Sequence, residues 1–289
     1  MNSLYKKVFF LFLCGFSVIA FINHQSFATI DKNSSRVIDA DIRVDDEVYI
    51  ERMTSPEVRK KIDSGMTTVI IPTGGSEQNG RHMIIGKHNI IVRYTAGEIA
   101  KELGNALVAP VVKYVPEGNI NPPQGHMKFA GTFSLREQTY RMLLEDIAAS
   151  LKQHGFKLIC FIGDSGGNQA VQVELAADLS NKWKDKGVNV LQVSDYYDNN
   201  GQSEWIKKHN VPLQDYNTHA GFEDTSELMA IDEDGVRKEL VGKYTIRDFN
   251  NVGSTGDSTL ASAEYGRYLL KLKIETAVRQ IKNAAANEQ

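Results

Sequence analysis

Residues 68–89, TVIIPTGGSEQNGRHMIIGKHN, decide how this chain is read. An apolar run ends at Pro72, a Gly-rich turn follows, and Glu77, Asn79, His82 and His88 then crowd together. A buried strand that delivers carboxylate and imidazole groups to its C-terminal end is how open α/β sheets build active sites. These side chains are also of the kinds that hold a divalent metal. The same pattern fits a polar loop whose histidines only cap and hydrogen-bond their neighbours.

Outward from this stretch, apolar runs alternate with amphipathic ones. Residues 67–72, 106–110, 157–162 and 188–193 read as strands. Residues 53–64, 94–103, 135–154, 169–186 and 259–284 read as helices, with Gly65, Gly104 and Gly155 as stops. Leu135, Met142, Leu143, Ile147 and Leu151 form one helical stripe. The alternation predicts an α/β fold whose mainly parallel sheet is covered by helices on both faces. Residues 119–133, with Pro122 and Pro123, read as a long ordered loop of the sort that shapes a site.

A hydrophobic content of 42% over 289 residues is enough to bury a core, and the formal charge of -3 carries no Lys/Arg block. That balance builds no field for nucleic acid or an anionic membrane surface. The amino terminus reads as a signal peptide over residues 1–28. Lys6 and Lys7 precede an apolar stretch at 8–22, and Ser26-Phe27-Ala28 supplies the cleavage site. The expectation is an exported protein, periplasmic or secreted, free of the membrane after cleavage. A flexible lead-in over 29–46 and one domain over 47–289 follow; an uncleaved anchor is the alternative. Cleavage leaves Cys160 as the sole cysteine, without an internal disulfide and read as a buried small hydrophobe.

Four stretches carry chemistry: 77–88; Gly125-His126-Met127 leading to Gly131-Thr132; Gly163-Asp164-Ser165-Gly166-Gly167-Asn168; and His219-Ala220-Gly221 with Glu223, Asp224, Thr225 and Ser226. With Gly256-Asp257, 260–264 and Gly266-Arg267, they resemble in order the motifs of the creatininase (creatinine amidohydrolase) family. The resemblance implies a three-layer αβα sandwich, often hexameric, with a two-metal site. It implies hydrolysis of a small-molecule amide by metal-activated water, with zinc, manganese or iron as the cofactor. Carried over position by position, Glu77 matches the first carboxylate ligand and His219 the family's catalytic-side histidine. Asn79 and Ser165 stand in place of histidines, His88 in place of the bridging aspartate, and Asp224 in place of a glutamate.

Three readings follow. In the first, Glu77, His88 and Asp164 (or His82) hold a metal, His219 acts as acid/base or carbonyl contact, and His126, Gly166, Gly167, Asn168 and Asp224 shape the substrate pocket. In the second, the pocket binds a ligand without catalysis. In the third, Gly163-Asp164-Ser165-Gly166-Gly167 is a nucleophile elbow with Ser165 as nucleophile and His219 as base, the acid coming from Asp195, Asp198 or Asp215. Gly166 and Gly167 are expected to permit positive φ and close backbone approach. His154 and His209 read as helix-end residues, and Tyr196, Tyr197 and Trp205 as packing or pocket lining.

Overall fold

The computed structural model describes residues 47–286; the expected signal peptide and the lead-in lie outside them. Helix α1 (Ser55–Asp63) opens with a capping box between Thr54 and Glu57 and has a proline in its first turn. Then follow β1 (Thr68–Thr73), α2 (Lys87–Leu103), β2 (Ala106–Val108), α3 (Glu137–His154) and β3 (Leu158–Gly163). The chain continues through α4 (Gln169–Trp183), β4 (Asn189–Gln192), α5 (Gln202–Lys208), α6 (Phe222–Ile231), α7 (Phe249–Val252) and α8 (Ala263–Ala286).

The four strands are parallel, in the order β2-β1-β3-β4. Side chains of a strand alternate between faces, and here both faces are buried. Val69, Ile71, Leu107, Ile159 and Phe161 pack against Ile62, Tyr140, Leu144, Ala148, Leu175 and Trp183 from α1, α3 and α4. Ile70, Val108, Cys160 and Ile162 face Val92, Ala96 and Ile99 of α2 and Ile274, Ala277 and Ile281 of α8. The result is the expected three-layer αβα sandwich. No helix among the described residues is long and apolar enough to cross a membrane.

Two departures from the sequence reading matter for function. Helix α2 begins at Lys87 rather than at 94, so His88 sits on a helix and not in the loop. Helices α5 and α6 lie where the sequence pattern predicts no element. The chain proceeds from β1 to β2 on one side and returns to β3 on the other. The C-terminal ends of β1 and β3 therefore flank a switch point, where open sheets place ligands.

Candidate active site

Glu77 lies at the centre of the crevice beyond β1, with a 2% exposed side chain. Its Oε1 is 2.8 Å from His88 Nε2 and 3.7 Å from His219 Nδ1; its Oε2 is 3.2 Å from His126 Nε2. The loop after β2 carries His126 inward, and its ring meets those of His219 and Phe249 edge-on, at 4.5 and 5.4 Å. Gln78 Nε2 spans the two histidines, 2.9 Å from His126 Nδ1 and 3.2 Å from His219 Nε2. Burial lowers the pKa of both histidines against the pull of Glu77, that of His219 to about 4, so both are neutral at pH 7.

A second carboxyl, Glu117, completes this face. Burial and then the neighbouring Glu77 push its pKa up to about 10, so it carries a proton at neutral pH. Glu77 Oε2 and Glu117 Oε1 are both buried without a directed donor. Two carboxyls so placed need positive charge between them, which a shared proton supplies and a divalent ion would supply as well.

Behind Glu77 runs an inner network. His88 Nδ1 is 2.8 Å from Asp164 Oδ2, so the imidazole lies between two carboxylates, and its pKa is raised in spite of burial. Asp164 Oδ1 accepts from Tyr196 Oη at 2.7 Å and from Lys273 Nζ at 3.1 Å. Lys273 also donates to Glu227 Oε2 at 2.8 Å, and Gln202 Nε2 holds the other Glu227 oxygen. Nearby, Lys87 Nζ pairs with Asp224 Oδ2 at 2.8 Å; burial would raise that carboxyl, but Lys87 brings it down to about 2.

Local sequence explains this placement. Cations at a helix N-terminus oppose the macrodipole, yet Lys87 and His88 open α2 and are buried there. Their acidic partners provide the compensation. Helices α6 and α8 come together at Gly266, where a Cβ would sit 1.8 Å from the Ser226 carbonyl oxygen. That closeness brings Glu227 within reach of Lys273. Asp224 accepts the N–H of Ala220, whose φ of 53° is left-handed for a residue with a side chain. Such strain persists only where the surroundings hold it.

The structure brings Glu77, His88 and Asp164 together as expected, but not as three open ligands, since both His88 nitrogens are engaged by carboxylates. The groups whose donor atoms lie within 4.8 Å of one another are Glu77, His126 and His219. His126 and His219 thus move from contact and acid/base positions into the donor set. Ser165 Oγ donates to Glu117 Oε2 at 3.1 Å, an acid already protonated, rather than to His219.

Gly166 and Gly167 keep ordinary negative φ, contrary to expectation. What Gly167 provides is close approach: a Cβ there would be 1.9 Å from the Pro116 carbonyl oxygen. The amide of Asn168 is spent on Thr73 and Gly74, which makes it a brace for the end of β1 and not a substrate contact. His82 is buried against Thr225 Oγ1 at 2.9 Å, away from the donor set. Sequence reasoning missed Gln78, Lys87, Glu117, Glu227 and Lys273. Lys273 had a signal, because it lies on the apolar stripe Leu269, Leu270, Ile274 and Ala277.

A cleft of about 540 Å³ opens over these groups, lined also by Tyr197, Asn200, Asn217 and Glu223. For one divalent ion the residues fit: an ionised carboxylate, two neutral imidazoles and a second carboxyl converge. For a bridged pair of ions they do not. Asn79 donates its amide to the carbonyl oxygens of Glu77 and Ile84, and the bridging position carries His88 with no lone pair to spare.

The likeness to known proteins follows the same geometry. A crystal structure of creatinine amidohydrolase superposes with a TM-score of 0.69 at 22% identity, covering 82% of this chain and 98% of that one. A manganese form of creatininase gives a TM-score of 0.68 at 21% identity, with the same coverage. The mycofactocin precursor peptide peptidase of Mycolicibacterium smegmatis is 25% identical over 243 residues, 77% of this chain and 87% of that protein. Creatinine amidohydrolase of Pseudomonas putida is 26% identical over 127 residues, 44% of this chain and 48% of its own length. The family pattern described as creatinine amidohydrolase matches residues 51–281, from before α1 into α8. Since that match takes in every strand and every loop that feeds the cleft, the chain belongs to the creatininase family.

Proposed function

We propose that this protein hydrolyses carbon–nitrogen bonds in small amides with one divalent ion, zinc, manganese or iron, held by Glu77, His126 and His219. The observation that carries this reading is the convergence of three donor atoms within 4.8 Å. The cleft above them, about 540 Å³, is of a size for a small amide or the end of a short peptide. The name of the mycobacterial peptidase relative is the reason for including peptide ends. A divalent ion at this point would polarise a carbonyl and lower the pKa of water.

The chain's own groups do the rest. Glu117 lines the cleft beside Glu77, where its carboxyl is placed to pass a proton to a departing nitrogen. Gln78 fixes the two imidazole planes, and His88 holds Glu77 from behind. Gly167 lets the turn after β3 lie flat against Pro116, which keeps the cleft floor open. Export through the amino-terminal segment and assembly into a homo-oligomer belong to the same proposal. Cell fractionation and size-exclusion chromatography test them.

Metal content and turnover are measured after reconstitution with each ion, using small amides, formamides and short peptides. About one equivalent of metal, lost in Glu77→Ala together with turnover, is the expected result. Metal below about a tenth of an equivalent, with no turnover, would overturn the proposal.

A second reading, a ligand-binding protein without catalysis, is favoured by the neutralisation of Asp164, Glu227 and Asp224 from within. It predicts ligand-induced thermal stabilisation that survives Glu77→Ala. Because Ser165 faces a protonated acid, the wild type should resist fluorophosphonate labelling.

A further inference from the structure

The family resemblance implies two ions bridged by a carboxylate, and one solved relative is a zinc–zinc form of a creatininase variant. Among the described residues one cluster of side chains could hold an ion, and near it lies a buried ammonium group. Lys273 is 6% exposed, and its two carboxylate partners, Asp164 and Glu227, are 4% and 2% exposed. A buried lysine is costly unless it is paired and hydrogen-bonded. Here Nζ reaches Asp164 Oδ1 at 3.1 Å and Glu227 Oε2 at 2.8 Å, and lies 5.0 Å from the centre of the Tyr196 ring.

Every carboxylate oxygen of this pair is occupied. Asp164 Oδ1 takes Lys273 and Tyr196, and Oδ2 takes His88. Glu227 Oε2 takes Lys273, and Oε1 takes Gln202. Lys87 Nζ pairs with Asp224 Oδ2, which also accepts the N–H of Ala220. The acidic side chains are thus present, and the charge that would balance them comes from α2 and α8.

We propose that the Lys273 ammonium supplies, beside the cleft, the positive charge that a second metal ion would otherwise bring. It is a built-in cation that clamps Asp164 to Glu227, and the chain therefore takes at most one divalent ion. Asp164 and Glu227 are bound to this internal cation and do not await a metal. The inference stands whether or not Glu77, His126 and His219 hold an ion of their own.

Manganese binding tests it without reference to activity. The wild type is titrated with Mn(II) and followed by electron paramagnetic resonance and elemental analysis. Lys273→Gln and Lys273→Arg are treated alike, with melting temperature recorded with and without manganese. The wild type should saturate at no more than one equivalent, with the spectrum of isolated ions. Lys273→Gln should take one equivalent more than the wild type and gain thermal stability from manganese, whereas Lys273→Arg should take no more than the wild type.

Two equivalents in the wild type, or an exchange-coupled spectrum, would overturn the proposal. So would a folded Lys273→Gln whose manganese content equals that of the wild type. If Lys273→Gln folds only when manganese is supplied, the ion has replaced the ammonium and the proposal holds. If it folds under neither condition, the wild-type titration decides. A wild type that binds no ion would sink the one-metal hydrolase while leaving this comparison intact.

Discussion

The cleft face and the inner face of Glu77 sit a few bonds apart and have opposite chemistry. On the cleft side, two neutral imidazoles and a protonated acid converge on Glu77. On the inner side, every charge has a fixed partner: His88 between carboxylates, Lys273 between Asp164 and Glu227. The same kinds of residue therefore do different work according to whether a cation is built in. The cleft side is a place for a ligand, and the inner side is a scaffold that fixes Glu77. Buried acids alone do not distinguish these cases; the partners do.

Substitutions should separate the two sides. The largest effect is expected from Glu77→Ala, which touches both. Retained metal and amide turnover should fall by more than about 100-fold, since supporting residues around a metal already cost about 10- to 100-fold. Elemental analysis and steady-state kinetics check this. Asp164→Ala acts on the inner side, where it strands Lys273 and His88 and should cost about 3–5 kcal/mol in urea unfolding. His126→Ala, on the cleft side, should cost about 1 kcal/mol and still release the metal. Equal losses from the two would erase the distinction.

Gly167→Ala should destabilise by about 1–3 kcal/mol, because the rigid Pro116 carbonyl cannot move aside. Gly166→Ala should cost less, as its nearest neighbour is the far end of a side chain, the Tyr197 hydroxyl at 3.1 Å, and not backbone. The smallest effect at neutral pH concerns His82, whose pKa burial lowers from 6.5 to about 4. Between those values the unfolded chain takes up a proton that the folded one refuses, so stability falls as pH drops from 6.5 to 4. In His82→Gln the melting temperature should fall less steeply over that window and match the wild-type dependence above it.

The sheet was legible because its strands are short apolar runs with glycine stops, a pattern that burial on both faces imposes. The four site loops were legible as motifs, and their convergence followed from the strand ends that carry them. What stayed hidden has physical causes. The first two turns of α2 are hidden in the sequence because Lys87 and His88 are poor first-turn residues, placed there for distant acids rather than for the helix. Glu117 sits alone between Pro116 and Gly118, and its pairing with Glu77 is a tertiary fact. His126 was seen, but its membership of the donor set depends on how a long loop folds back over β1.

Gly266 sets a dimension for all of this. With α6 and α8 touching backbone to backbone there, the span from Glu227 to Lys273, seven residues further along α8, behaves as a fixed gauge rather than an adjustable gap. A bulkier residue at 266 would wedge the helices apart and loosen the clamp without altering any charge. The electrostatic character of the interior is thus governed partly by a position that bears no polar side chain.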